Sequence, residues 1–218
     1  MTGERLRESA VATGRGDDGS TGLLYGGDRI SKDDARTEAY GTIDEAVAAL
    51  GLARARLGLK EEYGVLSPGL RPLRDLVLRF QRELFVAAAE LATNPDAWTR
   101  LEDGRTRVSA DMVRGVEDVL AELESRVAMP KEFVVPGETP TSAALELART
   151  ILRRAERRAV SLGRDGLLPG PYLLPYLNRL ADLLWVLARA AEQAEARTPT
   201  PSRTARAAPK SRTGANKQ

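Results

Sequence analysis

The sequence predicts an all-α protein, a bundle of five helices, and three observations support this class. The most frequent residues are strong helix formers, chiefly Ala, Leu, Arg and Glu, and only 5% of the residues are aromatic. Apolar residues recur at helical spacing in five segments, which are separated by stretches rich in Pro, Gly or Asn. With 218 residues, 42% of them hydrophobic, the chain is long enough to bury one core.

Start and stop signals delimit the five predicted helices. Ser31, followed by two aspartates, is a candidate N-cap for the first helix, and Ser109 can open the third in the same way. Pro68 and Pro72 mark the entry to the second helix and TNPD ends it, while GRDG ends the fourth. The predicted helices cover about 31–59, 70–93, 109–127, 139–163 and 171–195.

Both ends of the chain are predicted to lack helices. Residues 1–30 are rich in Gly and Asp and have no helical period, so an extended start followed by a loop is expected. The segment 196–218 has no acidic and no large aliphatic residue, and it cannot bury enough apolar surface to offset the entropy of ordering. Such a basic tail can contact nucleic acid or an acidic partner, or only raise solubility. The predicted organisation is a disordered arm (1–12), a helical domain (13–195) and a disordered basic tail (196–218).

The composition excludes several kinds of site. The chain has no cysteine and no histidine, so it offers no disulfide, thiol nucleophile, imidazole base or ordinary zinc site. The net charge of +2 gives no support to nucleic-acid binding. No signal peptide is apparent, and no apolar run is long enough to span a membrane, so a cytoplasmic location is expected.

The segment RTILRRAERR (149–158) puts five arginines and one glutamate on the fourth helix. At 3.6 residues per turn, one narrow arc carries Arg149, Arg153 and Glu156, with Arg157 at its edge. Arg154 and Arg158 point roughly the other way and are expected to be solvated. The first arc borders apolar residues, where a guanidinium group needs an anionic partner. A structural ion-pair network and an anionic ligand both satisfy that need, and the helix alone leaves both open.

The fifth helix is apolar around most of its circumference, which is typical of a helix buried on several sides. Its one polar stripe, at i, i+4, i+7 and i+11, carries Asn178, Asp182, Trp185 and Arg189. The stripe is either the solvent-facing edge of the helix or the lining of an internal site. Tyr40 and Asp44 form an i, i+4 pair on the first helix.

The segment TGRGDDGST (13–21) is a Gly-rich loop. The spacing of a Walker A loop is absent, and so is the downstream Glu of an EF-hand. Glycines let backbone N–H groups approach phosphates closely. On its own the segment is better explained as an ordinary flexible turn.

Five segments together carry a family resemblance. They are TGRGDDGSTGLLYGG, RISKDDARTEAYGTIDE, FQRELFVAAAELAT, FVVPGETPTSAALELARTILRRAERR and PYLNRLADLLWVLAR. From about Thr13 to Arg189 the sequence resembles the PduO-type ATP:cob(I)alamin adenosyltransferases. The resemblance implies a homotrimer of five-helix bundles with active sites between subunits. It also implies transfer of the 5′-deoxyadenosyl group of ATP to cob(I)alamin, giving adenosylcobalamin and triphosphate. Cobalt is then the nucleophile, which suits a chain without Cys or His.

The resemblance assigns ATP to the N-terminal loop, to Lys32 and to the arginine arc. Arg153 of a neighbouring subunit is expected to stabilise the triphosphate leaving group, with help from Arg36. Glu156 and Asn178 are expected to complete the surroundings of the nucleotide and of Mg²⁺. The implied nucleotide-binding residues are Thr13, Gly14, Arg15, Gly16, Asp17, Gly19, Ser20, Thr21, Lys32, Arg36, Arg153, Glu156, Arg157, Asn178 and Asp182.

Other implied roles concern the subunit interface and the corrin. Asp44 and Arg149 are expected to pair across the interface, where loss of either leaves a buried charge. Phe133 is expected to pack under the corrin and displace the lower axial ligand, which eases reduction of Co(II); the alternative is a core residue of the connector. Asp182 and Arg189 either support the site or contact substrate.

The sequence departs from the family pattern in three places. Gly14 stands where the family commonly has a basic residue, with Arg15 next to it. Glu138 replaces the usual second glycine of PGG. The segment DEAV takes the place of the family's DELN. The alternatives are a non-catalytic protein that binds and delivers adenosylcobalamin, and a helical module that binds nucleic acid or protein. The implied partners are ATP and cobalamin, with a reductase and an adenosylcobalamin-dependent mutase as further candidates, and with neither nucleic acid nor membrane.

Overall fold

The computed structural model describes residues 11–66 and 68–203 and is dominated by long helices. Two 3₁₀ helices, Pro68–Leu70 and Pro95–Arg100, lie in the connections on either side of the second α-helix. The α-helices are α1 (Ala35–Glu62), α2 (Arg71–Leu91), α3 (Ala110–Glu124), α4 (Pro140–Arg164) and α5 (Leu173–Ala194). The helix-dominated class predicted from the sequence is confirmed, and each α-helix lies close to its predicted range.

The core forms where α4 lies between α1 and α5. α1 also packs against α2, and α5 also packs against α3. Buried alanines repeat along the facing helices and leave room for close packing; they are Ala39, Ala46 and Ala53 of α1 and Ala148, Ala155 and Ala159 of α4. Tyr176 is fully buried on α5, and its hydroxyl donates a hydrogen bond to Glu83 Oε2 of α2 at 2.9 Å. The hydroxyl is therefore satisfied inside the core.

Of the two predicted N-caps, the structure confirms one and replaces the other. Ser109 caps α3 as predicted, because its hydroxyl accepts the N–H of Met112. Ser31 does not cap α1, because it belongs to β2 (Ile30–Ser31), which pairs antiparallel with β1 (Ser20–Thr21). Asp34 caps α1 instead and accepts the N–H of Arg36 at 2.8 Å. The start predicted for α1 is therefore wrong by about one turn.

A second two-stranded ladder joins the connector before α4 to the chain after α5. β3 (Val134–Val135) pairs antiparallel with β4 (Thr200–Pro201). Beside this ladder, the N–H of Ser202 donates to the carbonyl oxygen of Phe133 at 2.7 Å. We call residues 196–203 the C-terminal strap.

The strap corrects the expectation of a disordered tail from residue 196. That expectation is wrong for residues 196–203, because strand pairing uses backbone groups and needs no apolar side chain. The rest of the predicted tail (204–218) and most of the predicted arm (1–10) lie outside the described residues. Within the ranges 11–66 and 68–203, no helix is long and apolar enough to cross a membrane.

Candidate functional site

The Gly-rich loop folds into consecutive tight turns before β1. The N–H of Asp17 donates to the carbonyl oxygen of Gly14 at 3.2 Å, and the N–H of Gly19 donates to that of Gly16 at 3.1 Å. Gly14 and Gly19 have φ angles of 70° and 79°, a region that a residue with a side chain rarely adopts. Gly14 and Gly19 are therefore required by the backbone of the loop, and the segment is a folded turn structure.

Two cations hold the loop from the β2 side. Lys32 Nζ donates to the carbonyl oxygen of Gly16 at 2.7 Å, and the backbone N–H of Lys32 donates to that of Gly19 at 2.8 Å. Arg29 Nε donates to Ser20 Oγ at 2.6 Å and Arg29 Nη2 donates to the Ser20 carbonyl oxygen at 2.9 Å. The structure thus places Lys32 on the loop, and it adds Arg29, which sequence reasoning missed. Positive charge over a Gly-rich turn is the arrangement that a phosphate group needs.

Carboxylates balance part of this charge. Asp18 accepts the N–H and the hydroxyl of Ser20 at 2.9 and 2.7 Å, and these hydrogen bonds lower the pKa of Asp18. Arg36 lies at the start of α1 and makes a two-pronged contact of 3.0 Å per bond with Asp34. The Arg36 guanidinium lowers the pKa of the Asp34 carboxyl. Arg36 therefore reinforces the cap of α1, and an additional contact with ATP stays a prediction.

α4 presents two of its arginines to α1. Arg154 forms an ion pair with Glu45 and Arg158 with Glu38. Both arginine side chains are partly shielded, with 40% and 33% of their surface exposed. The expectation that they are solvated is only partly met, because α1 covers that side of α4 and supplies a carboxylate for each. Arg154 and Arg158 therefore form structural ion pairs between α4 and α1.

The other side of α4 lines a cavity of about 340 Å³ between α3, α4 and α5. Arg149 and Arg153 enter its wall from α4, and Asp182 and Trp185 enter from the polar stripe of α5. Arg153 is exposed, so its guanidinium is open to an anion. At Asp182, which is exposed, and at Trp185, the polar stripe of α5 therefore lines a cavity that is open to solvent.

Phe133 stands on the connector before α4 with 88% of its surface exposed. The interpretation of Phe133 as a core residue is therefore wrong. Its loop faces α4 and α5 across a cavity of about 450 Å³, which is also lined by Glu146, Arg149 and Trp185. Arg149 and Trp185 thus line both cavities. We call these two residues the partition.

Arg149 is held inside its own chain by Glu146. Its Nε donates to Glu146 Oε2 at 2.6 Å. Asp44 is exposed on α1, and no ion pair in the described part of the chain includes it. The contact expected between Asp44 and Arg149 is one between subunits, and it stays a prediction.

Glu156 and Asn178, expected to lie together, are in contact. Asn178 Nδ2 donates to Glu156 Oε1 at 3.2 Å across the packing of α4 and α5. Arg157 is exposed and donates from Nη1 to the carbonyl oxygen of Arg153 at 3.2 Å. The predicted arc of α4 is therefore spatially coherent, although its residues contact different neighbours.

Besides Arg29, sequence reasoning missed three parts of the site. The first is Glu146, whose position three residues before Arg149 was a visible i, i+3 signal for an ion pair. The second is the role of Glu192, which pairs with Arg189 at the same spacing. The third is the C-terminal strap, for which the sequence carries no apolar or propensity signal.

The fold and these contacts define a helical-bundle protein with a cavity lined by an exposed arginine and an adjoining cavity beside an exposed aromatic ring. Residues 11–191 match the family described as Cobalamin adenosyltransferase. The chain belongs to this family, and the resemblance seen in the sequence is confirmed.

Relatives and a solved structure are similar over most of the chain. The corrinoid adenosyltransferase of Citrobacter freundii is 37% identical over 182 residues, which cover 84% of this chain and 94% of that protein. The corrinoid adenosyltransferase of Mycobacterium tuberculosis is 37% identical over 187 residues, covering 83% and 88%. A variant PduO-type ATP:corrinoid adenosyltransferase from Lactobacillus reuteri, complexed with cobalamin and ATP, superposes with a TM-score of 0.74 at 28% identity. That structure covers 88% of this chain and 98% of its own.

Proposed function

We propose that this protein transfers the 5′-deoxyadenosyl group of ATP to the cobalt of cob(I)alamin and releases triphosphate and adenosylcobalamin. The observation that carries the proposal is the pair of cavities that share the partition. One cavity holds the exposed ring of Phe133 and the other holds the guanidinium of Arg153. A reaction between a flat macrocycle and a nucleotide needs two such neighbouring sites, because cobalt and C5′ have to meet.

Arg153 is the residue that we assign to the leaving group. Cobalt attacks C5′, the Co–C bond forms, and the electron pair of the C5′–O bond leaves with triphosphate. Negative charge therefore increases on the triphosphate as the bond breaks, and a guanidinium fixed beside it favours the transition state. The loop and Lys32 supply the second group of anion ligands, through backbone N–H groups and one ammonium.

One anion-binding group leads into α1, which packs on one side of α4, and the other lines a cavity on the opposite side, which supports an assembly of several subunits. The loop and Lys32 precede α1, the helix that takes up Arg154 and Arg158 on one side of α4. Arg153 lines the cavity beside α3 and α5. We therefore propose a homotrimer in which the loop of one subunit and Arg153 of its neighbour complete one ATP site.

The residues present fit a Mg²⁺ ion that is held mainly by ATP. Within residues 11–66 and 68–203, no group of three Asp or Glu side chains is placed to enclose a metal ion. Mg²⁺ at nucleotide sites is commonly bound by one or two carboxylates together with phosphates and water. Glu156, positioned by Asn178, is the carboxylate that we assign to this surrounding. The ion would neutralise phosphate charge there.

Phe133 is the residue that we assign to the lower face of the corrin. An apolar ring against that face excludes water and other ligands from the fifth position of Co(II). Loss of that ligand makes reduction to Co(I) easier, because the ligand stabilises the oxidised state. The exposure of Phe133 supports this role, because a ring buried in the core would be out of reach of a ligand.

An anaerobic assay with ATP and cobalamin, followed by the cobalamin spectrum, tests the proposal. We expect wild type to form adenosylcobalamin from Co(I), and from Co(II) when a reductant is present. Phe133→Ala should slow the reaction from Co(II) far more than the reaction from Co(I). Phe85→Ala, which removes another exposed ring (59% exposed, on α2), is the matched control and should slow neither.

Two results would contradict these assignments. Absence of adenosylcobalamin with pre-formed Co(I), ATP and Mg²⁺ would exclude the enzymatic function. A four-coordinate Co(II) signal that survives in Phe133→Ala would exclude the role of the ring.

A further inference from the structure

Behind the partition lies a buried ion network formed by four residues of α4 and α5. Arg189 is fully buried, and its Nε and Nη2 donate to the two carboxylate oxygens of Glu192 at 2.7 and 2.8 Å. Arg189 Nη1 also lies 3.3 Å from Glu146 Oε1. Glu146, with 4% of its side chain exposed, accepts Arg149 Nε through its other oxygen at 2.6 Å. Glu146 therefore bridges one fully buried arginine and one arginine of the partition.

Charge balance explains why the network includes Arg149. Glu146 and Glu192 carry two negative charges, and Arg189 alone compensates only one of them. An uncompensated charge in a buried position is costly, so Arg149 is needed for neutrality. The orientation of Arg149 is thus set from the protein interior.

The network also contacts the second residue of the partition. The guanidinium of Arg189 lies 5.5 Å from the ring centre of Trp185, within the range of a cation–π interaction. Arg189 is therefore connected to Trp185 directly and to Arg149 through Glu146. Both residues of the partition thus contact the same buried ion network.

We propose that Glu146 and Arg189 are positioning residues that hold the partition and thereby set the distance between the two bound substrates. This inference rests on the proposed function, because it assumes that the two cavities receive the corrin and the nucleotide. Neither residue is assigned a contact with the reacting atoms. Their effect on the reaction is transmitted through Arg149 and Trp185.

The test compares Glu146→Gln with Glu195→Gln in the full chain. Gln keeps the size of the side chain but removes the charge that Arg149 and Arg189 share. Glu195 pairs with Lys60 where α5 ends, lines neither cavity and keeps 17% of its side chain exposed, so it is a matched control for loss of a shielded ion pair. We expect kcat of Glu146→Gln to fall by about 10- to 100-fold with little change in KM, as misalignment does. Glu195→Gln should lower the melting temperature and leave kcat unchanged.

A second readout needs no turnover. The chain has two tryptophans, so in a Trp98→Phe background the emission reports Trp185 alone. Glu146→Gln should change the emission of Trp185, because the neighbouring guanidinium is released, and Glu195→Gln should not. If wild type does not transfer the adenosyl group, the proposed function is wrong. The emission measurement would still test whether Glu146 and Arg189 hold Arg149 and Trp185 in place.

Glu146→Asp keeps the charge but shortens the bridge, and it replaces Glu146→Gln if that variant does not fold. It should give an intermediate kcat and an intermediate change in emission. Equal losses of kcat in Glu146→Gln and Glu195→Gln, or an emission of Trp185 that is unchanged in Glu146→Gln and Glu146→Asp, would overturn the proposal.

Discussion

Ser202 and Phe133 are joined by a backbone hydrogen bond of 2.7 Å, although they are far apart in the sequence. The bond lies next to the ladder of β3 and β4, and it fixes the strap beside the loop of Phe133. A side chain reinforces the same contact, because Glu138 Oε1 accepts the N–H of Thr200 at 3.2 Å. Glu138 stands where the family pattern usually has glycine, so this contact belongs to the particular sequence of this chain.

Two truncations separate the strap from the residues that follow it. Removal of 204–218 should leave the Phe133 loop unchanged, whereas removal of 198–218 deletes β4 and should free the loop. The measurement is amide hydrogen exchange of residues 133–138, where the longer truncation should lose protection. The rate of adenosyl transfer starting from Co(II) should also fall in the protein that lacks residues 198–218. Identical exchange of the two truncated proteins would show that the strap does not hold the loop.

The two sides of α4 predict opposite effects for two arginines. Arg153→Ala should abolish or severely reduce adenosyl transfer with little loss of stability, because Arg153 is exposed and open to an anion. Arg158→Ala should leave kcat/KM unchanged and cost about 0.5–1 kcal/mol of unfolding free energy, because it breaks a partly exposed ion pair with Glu38. Steady-state kinetics and urea unfolding of both variants provide the check. Similar loss of activity in the two variants would contradict the assignment of sides.

The proposed trimer predicts a charge-swap experiment on Asp44 and Arg149. Asp44→Asn should weaken assembly or activity. The double change Asp44→Arg with Arg149→Asp should restore both only in part, because Glu146 would then face a second carboxylate. Sedimentation and activity, measured on the same samples, test this prediction. A fully active monomer would show that the reaction does not need the contact between Asp44 and Arg149.

Glu90 predicts a pH dependence of stability. It is fully buried near the end of α2 and accepts the N–H of Val108 at 2.7 Å. Burial raises its pKa from 4.5 to about 7, although the Val108 bond and Arg107 act in the opposite direction. Between pH 4.5 and 7 the folded protein keeps a proton that the unfolded chain has lost, so stability falls as pH rises and levels off above 7.

Glu90→Gln should remove this decline. Between pH 5 and pH 8 the unfolding free energy of wild type should fall, and that of Glu90→Gln should not. The difference between the two proteins should therefore grow by up to about 3 kcal/mol over this range. Urea unfolding at both pH values gives the difference, and Glu102→Gln, an exposed carboxylate, is the control. Parallel pH profiles of wild type and Glu90→Gln would show that Glu90 titrates normally.

Structural features that depend on residues close in the sequence were predicted correctly. Features that depend on distant segments were not. The cap at Ser109 and the arc of Arg149 and Arg153 follow from helix geometry within a few residues, and both are seen in the structure. Ser31 looked like a cap, but its pairing partner in the ladder is Ser20, in a strand that local propensity does not reveal. The ion pairs of Arg154 and Arg158 depend on which helix covers α4, and the arginine segment does not contain that information.

The site was predictable mainly through the family pattern. The pattern brought together the loop, Lys32 and the arginines, and the structure shows that Lys32 does lie on the loop. The pattern could not identify the charge balance behind the partition, because Glu146 and Glu192 act through burial and not through a motif. It also could not identify the strap, whose contacts are made by the backbone.

The exposure of Phe133 has a thermodynamic consequence for ligand binding. A phenylalanine ring with 88% of its surface in water gains roughly 1.5–3 kcal/mol when a ligand covers it. That gain corresponds to a roughly 10- to 150-fold lower dissociation constant for a macrocycle that covers the ring. Removal of apolar surface from water also lowers the heat capacity, so the binding enthalpy should become more negative as temperature rises. Part of the affinity of this cavity for an apolar ligand face therefore comes from the water that leaves the Phe133 ring.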